Sequence, residues 1–135
     1  MSINYFNRET VSVTFSDPLA DDQRIHLWKA PYACEILDAY IVVQDDQGAG
    51  SAGTFQLENW GVAGTAVAGT IAVGLGGTAV AARLTGETPA QYTLTDGTLP
   101  DGAWVVCDYQ EDTAWVETNV TIFFEVAYGL GADAP

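Results

Sequence analysis

Apolar and polar residues alternate one for one in run after run of this chain. That period of two is the signature of strands, because successive side chains on an extended backbone point to opposite faces. In Thr10–Ser16, Val11, Val13 and Phe15 share one face and the hydroxyls share the other, which predicts a half-buried strand. Ile25–Lys29 reads as a second, shorter strand, with Asp17-Pro-Leu-Ala-Asp-Asp as the intervening turn or loop. Thr54–Glu58 alternates with Phe55 and Leu57 inward, Gln91–Thr95 alternates, and Ala103–Tyr109 is strand-like. Asn119–Tyr128 is the longest clean case, with Val120, Ile122, Phe124, Val126 and Tyr128 on one face.

Ala33–Gln44 is apolar on both faces. Leu37, Ala39, Ile41 and Val43 fall on one, and Cys34, Ile36, Tyr40 and Val42 on the other. It is expected to be central between two layers or partly covered by another subunit. The glycine-rich stretch 62–82 is ambiguous. Gly-Thr-Ala-Val-Ala occurs at 64–68 and again at 77–81, which suggests two short strands around Gly74–Gly77, and five glycines there disfavour a helix. Asp96-Gly97 and Pro100-Asp-Gly102 are turn signals, and the segment from Gly129 onward looks loose.

The count is seven to nine strands with turn signals every 8–12 residues. Such strands must cover their inward faces with a second layer. The fold class expected is all-β: a single-domain antiparallel β-sandwich, jelly-roll-like. Residues 1–30 are expected to form an arm and short strands packing on or extending a sandwich built by residues 31–135. The length of 135 residues suits one domain.

Eighteen acidic residues face four basic ones, a formal net charge of −14. That surface repels nucleic acid, whose binding depends on Lys and Arg neutralising phosphates, and it repels anionic membranes. It would steer the protein towards a basic partner surface. No apolar run has the length of a signal-peptide core or a membrane span, so the chain is expected to be made and kept in a cytoplasm, or to leave inside something larger. Cys34 and Cys107 make no disulfide framework and read as two buried free thiols, a bridge between neighbouring strands being the alternative.

The residues needed for catalysis are sparse. His26 is the one histidine, alternates with apolar neighbours and reads as a surface or packing residue. The usual zinc clusters need more ligands than His26 and two distant cysteines offer. Carboxylates are plentiful but too scattered to mark an acid pair, and no phosphate-cradling loop is present. The loop pairs Asp21-Asp22 and Asp45-Asp46 have the chemistry for calcium but lack EF-hand spacing, and read as solvated charges. No catalytic residue, metal or cofactor is assigned. Among the tryptophans, Trp104 alternates with Val106 and is expected in the core. Trp28, Trp60 and Trp115 fall at strand ends or loops, where an aromatic packs at an edge, anchors a protein interface or stacks on a sugar.

Four stretches together carry a resemblance. Ala30-Pro-Tyr-Ala-Cys-Glu-Ile-Leu-Asp-Ala-Tyr-Ile-Val-Val43 leads to Gly48-Ala-Gly-Ser-Ala-Gly-Thr-Phe-Gln-Leu-Glu-Asn-Trp-Gly61. After an Ala/Gly/Thr stretch come Leu99-Pro-Asp-Gly-Ala-Trp-Val-Val-Cys-Asp-Tyr109 and Val120-Thr-Ile-Phe-Phe-Glu-Val126. Over residues 30–128 this layout resembles the small β-sandwich decoration, or cement, proteins of tailed bacteriophage capsids. The resemblance implies a homotrimer on the capsid surface of the virion, assembled in the host cytoplasm, that bridges neighbouring major capsid protein subunits. It brings no active-site residues and does not extend to residues 1–30. Contact residues are expected among the few bases and exposed aromatics: Arg8, Arg24, Arg83 and Trp60. Another virion part, such as a head fibre or tail component, and a carbohydrate-binding sandwich are the alternatives.

Overall fold

The computed structural model describes residues 8–16, 23–45, 54–75, 87–110 and 118–129. Among the described residues the nine strands are β1 (Arg8–Ser16), β2 (Gln23–Lys29), β3 (Cys34–Val43), β4 (Thr54–Asn59), β5 (Gly69–Leu75), β6 (Ala90–Gln91), β7 (Thr98–Leu99), β8 (Trp104–Gln110) and β9 (Asn119–Tyr128). They form two antiparallel sheets. One runs β1-β9-β3, with β6 and β7 sharing the far edge of β3; the other runs β2-β8-β4-β5. Counting β6 and β7 as one interrupted strand, the chain crosses between sheets in the order of an eight-stranded jelly roll.

The core lies between the sheets. β9 contributes the alternating set Val120, Ile122, Phe124, Val126 and Tyr128, and β1 adds half-buried Val11, Val13 and Phe15. The opposite sheet answers with Phe55 and Leu57 from β4 and Val105, Cys107 and Tyr109 from β8. Rings meet across the gap: Phe15 and Phe55 lie 6.2 Å apart, and Trp28 stands edge-on to Phe124 at 5.6 Å. Each fully buried aliphatic or aromatic side chain contributes roughly 1.5–3 kcal/mol of transfer free energy. Both thiols are free and buried, and burial pushes the Cys34 thiol up to about 11 and the Cys107 thiol further still.

β3 corrects the expectation of a strand apolar on both sides. Ile36 pairs with Val126 and Asp38 with Glu125, so Leu37 is an extra residue opposite nothing. This β-bulge resets the alternation. Cys34 and Ile36 before it, and Ala39, Ile41 and Val43 after it, all face the core, leaving Glu35, Leu37, Asp38, Tyr40 and Val42 on the outer side. Gly97 fits against the bulge. Its carbonyl accepts the Ile36 amide at 2.8 Å, and a Cβ there would sit 2.3 Å from the Ile36 carbonyl oxygen.

Two other strand expectations change. Residues 64–68 form a loop rather than a strand, and the strand runs through Gly69–Leu75 instead; the repeat copy at 77–81 lies outside the described residues. Gln91–Thr95 is not one strand. After β6 the chain leaves β3, reaches Ala72 of β5 through a bridge at Leu94, gives the Thr95 amide to the Ile71 carbonyl at 2.7 Å, and returns to β3 as β7. Tyr92, buried on this detour, donates its hydroxyl to the Phe55 carbonyl at 2.8 Å, and burial holds its pKa well above the usual value. Pro100–Ala103 closes with the Ala103 amide on the Pro100 carbonyl at 3.1 Å, with Gly102 at φ +82°, as a type II turn requires.

Candidate interaction surfaces

With the inner faces buried together, the chemistry open to a partner lies on the two outer faces. On the four-stranded sheet, β2 presents Arg24 and His26, β4 presents Gln56 and Glu58, and β8 presents Trp104, Val106 and Asp108. Trp104 is thus not in the core between the sheets: it shares the outer face with Val106, which is nonetheless fully buried.

Val106 lies between its cross-strand partners His26 and Glu58, and the loop after β4 packs on the same face. The Trp60 amide donates to the Trp104 carbonyl at 2.9 Å, and the Trp104 amide donates to the Gly61 carbonyl at 3.0 Å, turning residues 60–68 back over the sheet. His26 lies edge-on to Trp60 at 5.6 Å and to Trp104 at 5.4 Å, and donates from Nε2 to the Gly64 carbonyl at 2.8 Å. Gly64 has φ +67°, and a Cβ on it would meet Cδ1 of Trp104 at 2.4 Å. Glu58, 6% exposed, accepts the indole N–H of Trp60 at 3.0 Å and the side-chain amide of Gln56 at 2.8 Å. Arg24 pairs with Asp108 at 3.4 Å. The outside of the loop is uncharged and exposes Val62 and Val67.

The five-stranded sheet is different. Tyr40 of β3 and Phe123 of β9 are cross-strand partners and stack at 5.3 Å with 14° between ring planes. The next pair along the same two strands is Asp38 opposite Glu125. Like charges in that position repel. Arg8 offsets one of them, its guanidinium lying 2.5 Å from Glu125 Oε1. Asp38 accepts from the side-chain amide of Gln91 at 2.8 Å and from the Ala39 amide at 3.0 Å. It is also the hydrogen-bond partner that holds the Tyr40 phenol above its ordinary pKa of 10.0. Thr10, Asp38, Tyr40, Phe123, Phe124 and Glu125 line a depression of about 140 Å³. Beyond it β1 is a row of hydroxyls, with Thr14 bonded to Thr121 at 2.9 Å and Ser16 donating to Asn119 at 3.1 Å.

The contact residues expected from the sequence divide between these faces. Arg8 belongs to the five-stranded side, Arg24 and half-buried Trp60 to the four-stranded side, and Arg83 lies outside the described residues. Trp28 packs inward, and Trp115, Asp21, Asp22 and Asp46 also lie outside them. Among the described residues, no three His, Cys, Asp or Glu side chains converge as a metal would require. Sequence reasoning missed the Tyr40–Phe123 stack and its carboxylates. The available signal was two aromatics, each followed or preceded at a spacing of two by an acid: Asp38 and Tyr40, Phe123 and Glu125.

No family model matches this sequence, and no curated protein matches it. Solved structures do share its fold. A chain of the acid-stable capsid structure of the Helicobacter pylori bacteriophage KHP30 superposes with a TM-score of 0.63 at 11% identity, covering 89% of this chain and 86% of that one. A chain of the capsid asymmetric unit of cyanophage Pam1 superposes with a TM-score of 0.53 at 18% identity, covering 90% of this chain and 84% of that one. The shared feature is the sandwich over nearly its whole length.

Proposed function

We propose that this protein is a structural component of a bacteriophage virion, binding the outside of the capsid as a homotrimer and stabilising it by bridging major capsid protein subunits. The observation that carries the reading is the fold likeness to chains of two phage capsid structures over about nine-tenths of this chain. The charge agrees with it, since a chain of formal charge −14 suits an exterior position away from packaged DNA.

The physics of the role is multivalency. A trimer that engages a repeating lattice through several modest contacts holds far more tightly than one contact would. Binding the assembled state and not the dispersed one shifts the equilibrium towards assembly by mass action. The test uses purified protein, empty shells of the phage that encodes it, and free capsid subunits. Light scattering after size exclusion is expected to give a trimer. Co-sedimentation is expected with shells and not with free subunits, and the shells are expected to withstand a higher temperature once decorated. A monomer with no affinity for shells would overturn the proposal.

A further inference from the structure

We propose that the depression beside the Tyr40–Phe123 stack is a docking site for an arginine side chain presented by a partner protein. The identity of the partner rests on the function proposed above; the chemistry of the site does not.

Three observations converge on a guanidinium. The first is the balance of donors and acceptors. Asp38 and Glu125 are directly opposed on neighbouring strands and, as carboxylates, offer acceptors alone. A guanidinium offers five donors and no acceptor, in a planar fork that suits carboxylates. The second is the aromatic wall. Tyr40 and Phe123 stand face to face, so an outer ring face remains to line the depression, and a planar cation stacks on such a face. The third is charge. Arg8 supplies one cation to the row, at Glu125, while the hydrogen bonds reaching Asp38 come from neutral donors, the amides of Gln91 and Ala39 and the hydroxyl of Tyr40. One negative charge in the row therefore remains to be matched from outside. Arg8 also shows that this face already holds a guanidinium against a carboxylate.

Size sets the scale of the ligand. A depression of about 140 Å³ is well below the roughly 300–1,000 Å³ that encloses a drug-sized molecule, but it takes the tip of one side chain. The surrounding field favours a basic partner, because a formal charge of −14 accelerates encounter with positive surfaces in a salt-dependent way.

The test titrates the intact protein with N-acetyl-L-arginine methylamide at low salt, following aromatic and side-chain NMR signals. Shifts are expected at Tyr40 and Phe123, with His26 and Trp104 unmoved as internal controls. The citrulline analogue, which keeps the shape and loses the charge, is expected to bind at least tenfold more weakly. Asp38→Asn and Phe123→Ala are each expected to weaken the arginine probe at least fivefold, with unchanged His26 and Trp104 signals showing that the fold is intact. Equal response to citrulline, or shifts confined to residues elsewhere, overturns the proposal. So does a methyl glycoside that moves the Tyr40 and Phe123 signals where arginine does not. A shell-binding assay separates the two readings. Wild-type binding that Asp38→Asn leaves unchanged overturns the docking site and spares the capsid role. Arginine binding by a protein that ignores shells keeps the site and removes that role.

Discussion

The two outer faces of this sandwich are built on the same kind of strands and end in opposite states. On the four-stranded side the chain packs on its own sheet: loop 60–68 bonds His26 and lies against Trp104, and its Trp60 donates to buried Glu58. On the five-stranded side Tyr40 stacks on Phe123 and hydrogen-bonds Asp38, and charged groups flank the pair at the surface. The difference follows from what each face must hide. Trp104 and Val106 are apolar neighbours with a buried carboxylate next to them, and exposure would leave apolar area wet. Tyr40 and Phe123 cover one another by stacking, and their neighbours are groups that favour water. The loop-covered face therefore spends its polar and aromatic groups on the stability of the chain, while the open one presents them at the surface.

Substitutions test that contrast, and the largest effect is expected beneath the loop. Val106→Asp places a carboxylate in a closed space opposite Glu58, and is expected to cost about 4 kcal/mol in urea unfolding. Thr121→Asp on the open face is expected to cost less than about 1 kcal/mol. Equal costs would show that Val106 is no drier in solution than the open face. Gly64→Ala combines a left-handed backbone with a clash against Trp104, and is expected to cost about 3 kcal/mol. Gly61→Ala shares the backbone conformation, with φ +66°, but has space around it; about 1 kcal/mol is expected, so the gap between the two variants measures the clash.

Removing the imidazole in His26→Ala takes away one hydrogen bond and two edge-on ring contacts. A loss of about 1.5 kcal/mol is expected, with a red-shifted tryptophan emission as the loop loosens. On the open face, a double-mutant cycle on Tyr40→Ala and Phe123→Ala is expected to give a coupling of about 1 kcal/mol; no coupling would mean that the stack does not persist in solution. The smallest effect is spectroscopic. The hydrogen bond to Asp38 raises the Tyr40 pKa, so Asp38→Asn is expected to let the phenolate form at lower pH, nearer 10.0, in an alkaline ultraviolet titration. The sign is fixed. A phenol whose folded pKa is raised favours the native state below its ordinary pKa and loses that advantage as pH rises through the folded value.

β9 was fully legible in the sequence because its five inward residues alternate without a break from Val120 to Tyr128. β3 was legible as a strand but not in its faces. The extra residue at Leu37 leaves no mark in composition, and it moves Cys34 and Ile36 to the same face as Ala39, Ile41 and Val43. Trp104 and Val106 show the limit of alternation from another side. The period states correctly that they share a face, but it cannot say that the chain covers that face with a distant loop. The repeated Gly-Thr-Ala-Val-Ala misled for a related reason: at 64–68 it is a loop whose Gly64 allows close approach to a tryptophan ring. The open-face site was hidden because it joins residues far apart in sequence, in a register that the bulge determines.

The detour between β6 and β7 has a mechanical consequence. By touching β3, then β5, then β3 again, it stitches the two sheets together along one side. Along the opposite side run β1 and β2, each paired within its own sheet and in different sheets. The 90–99 side is thus tied by backbone hydrogen bonds between the sheets, whereas on the other side the tie is the chain itself, which runs directly from β1 into β2.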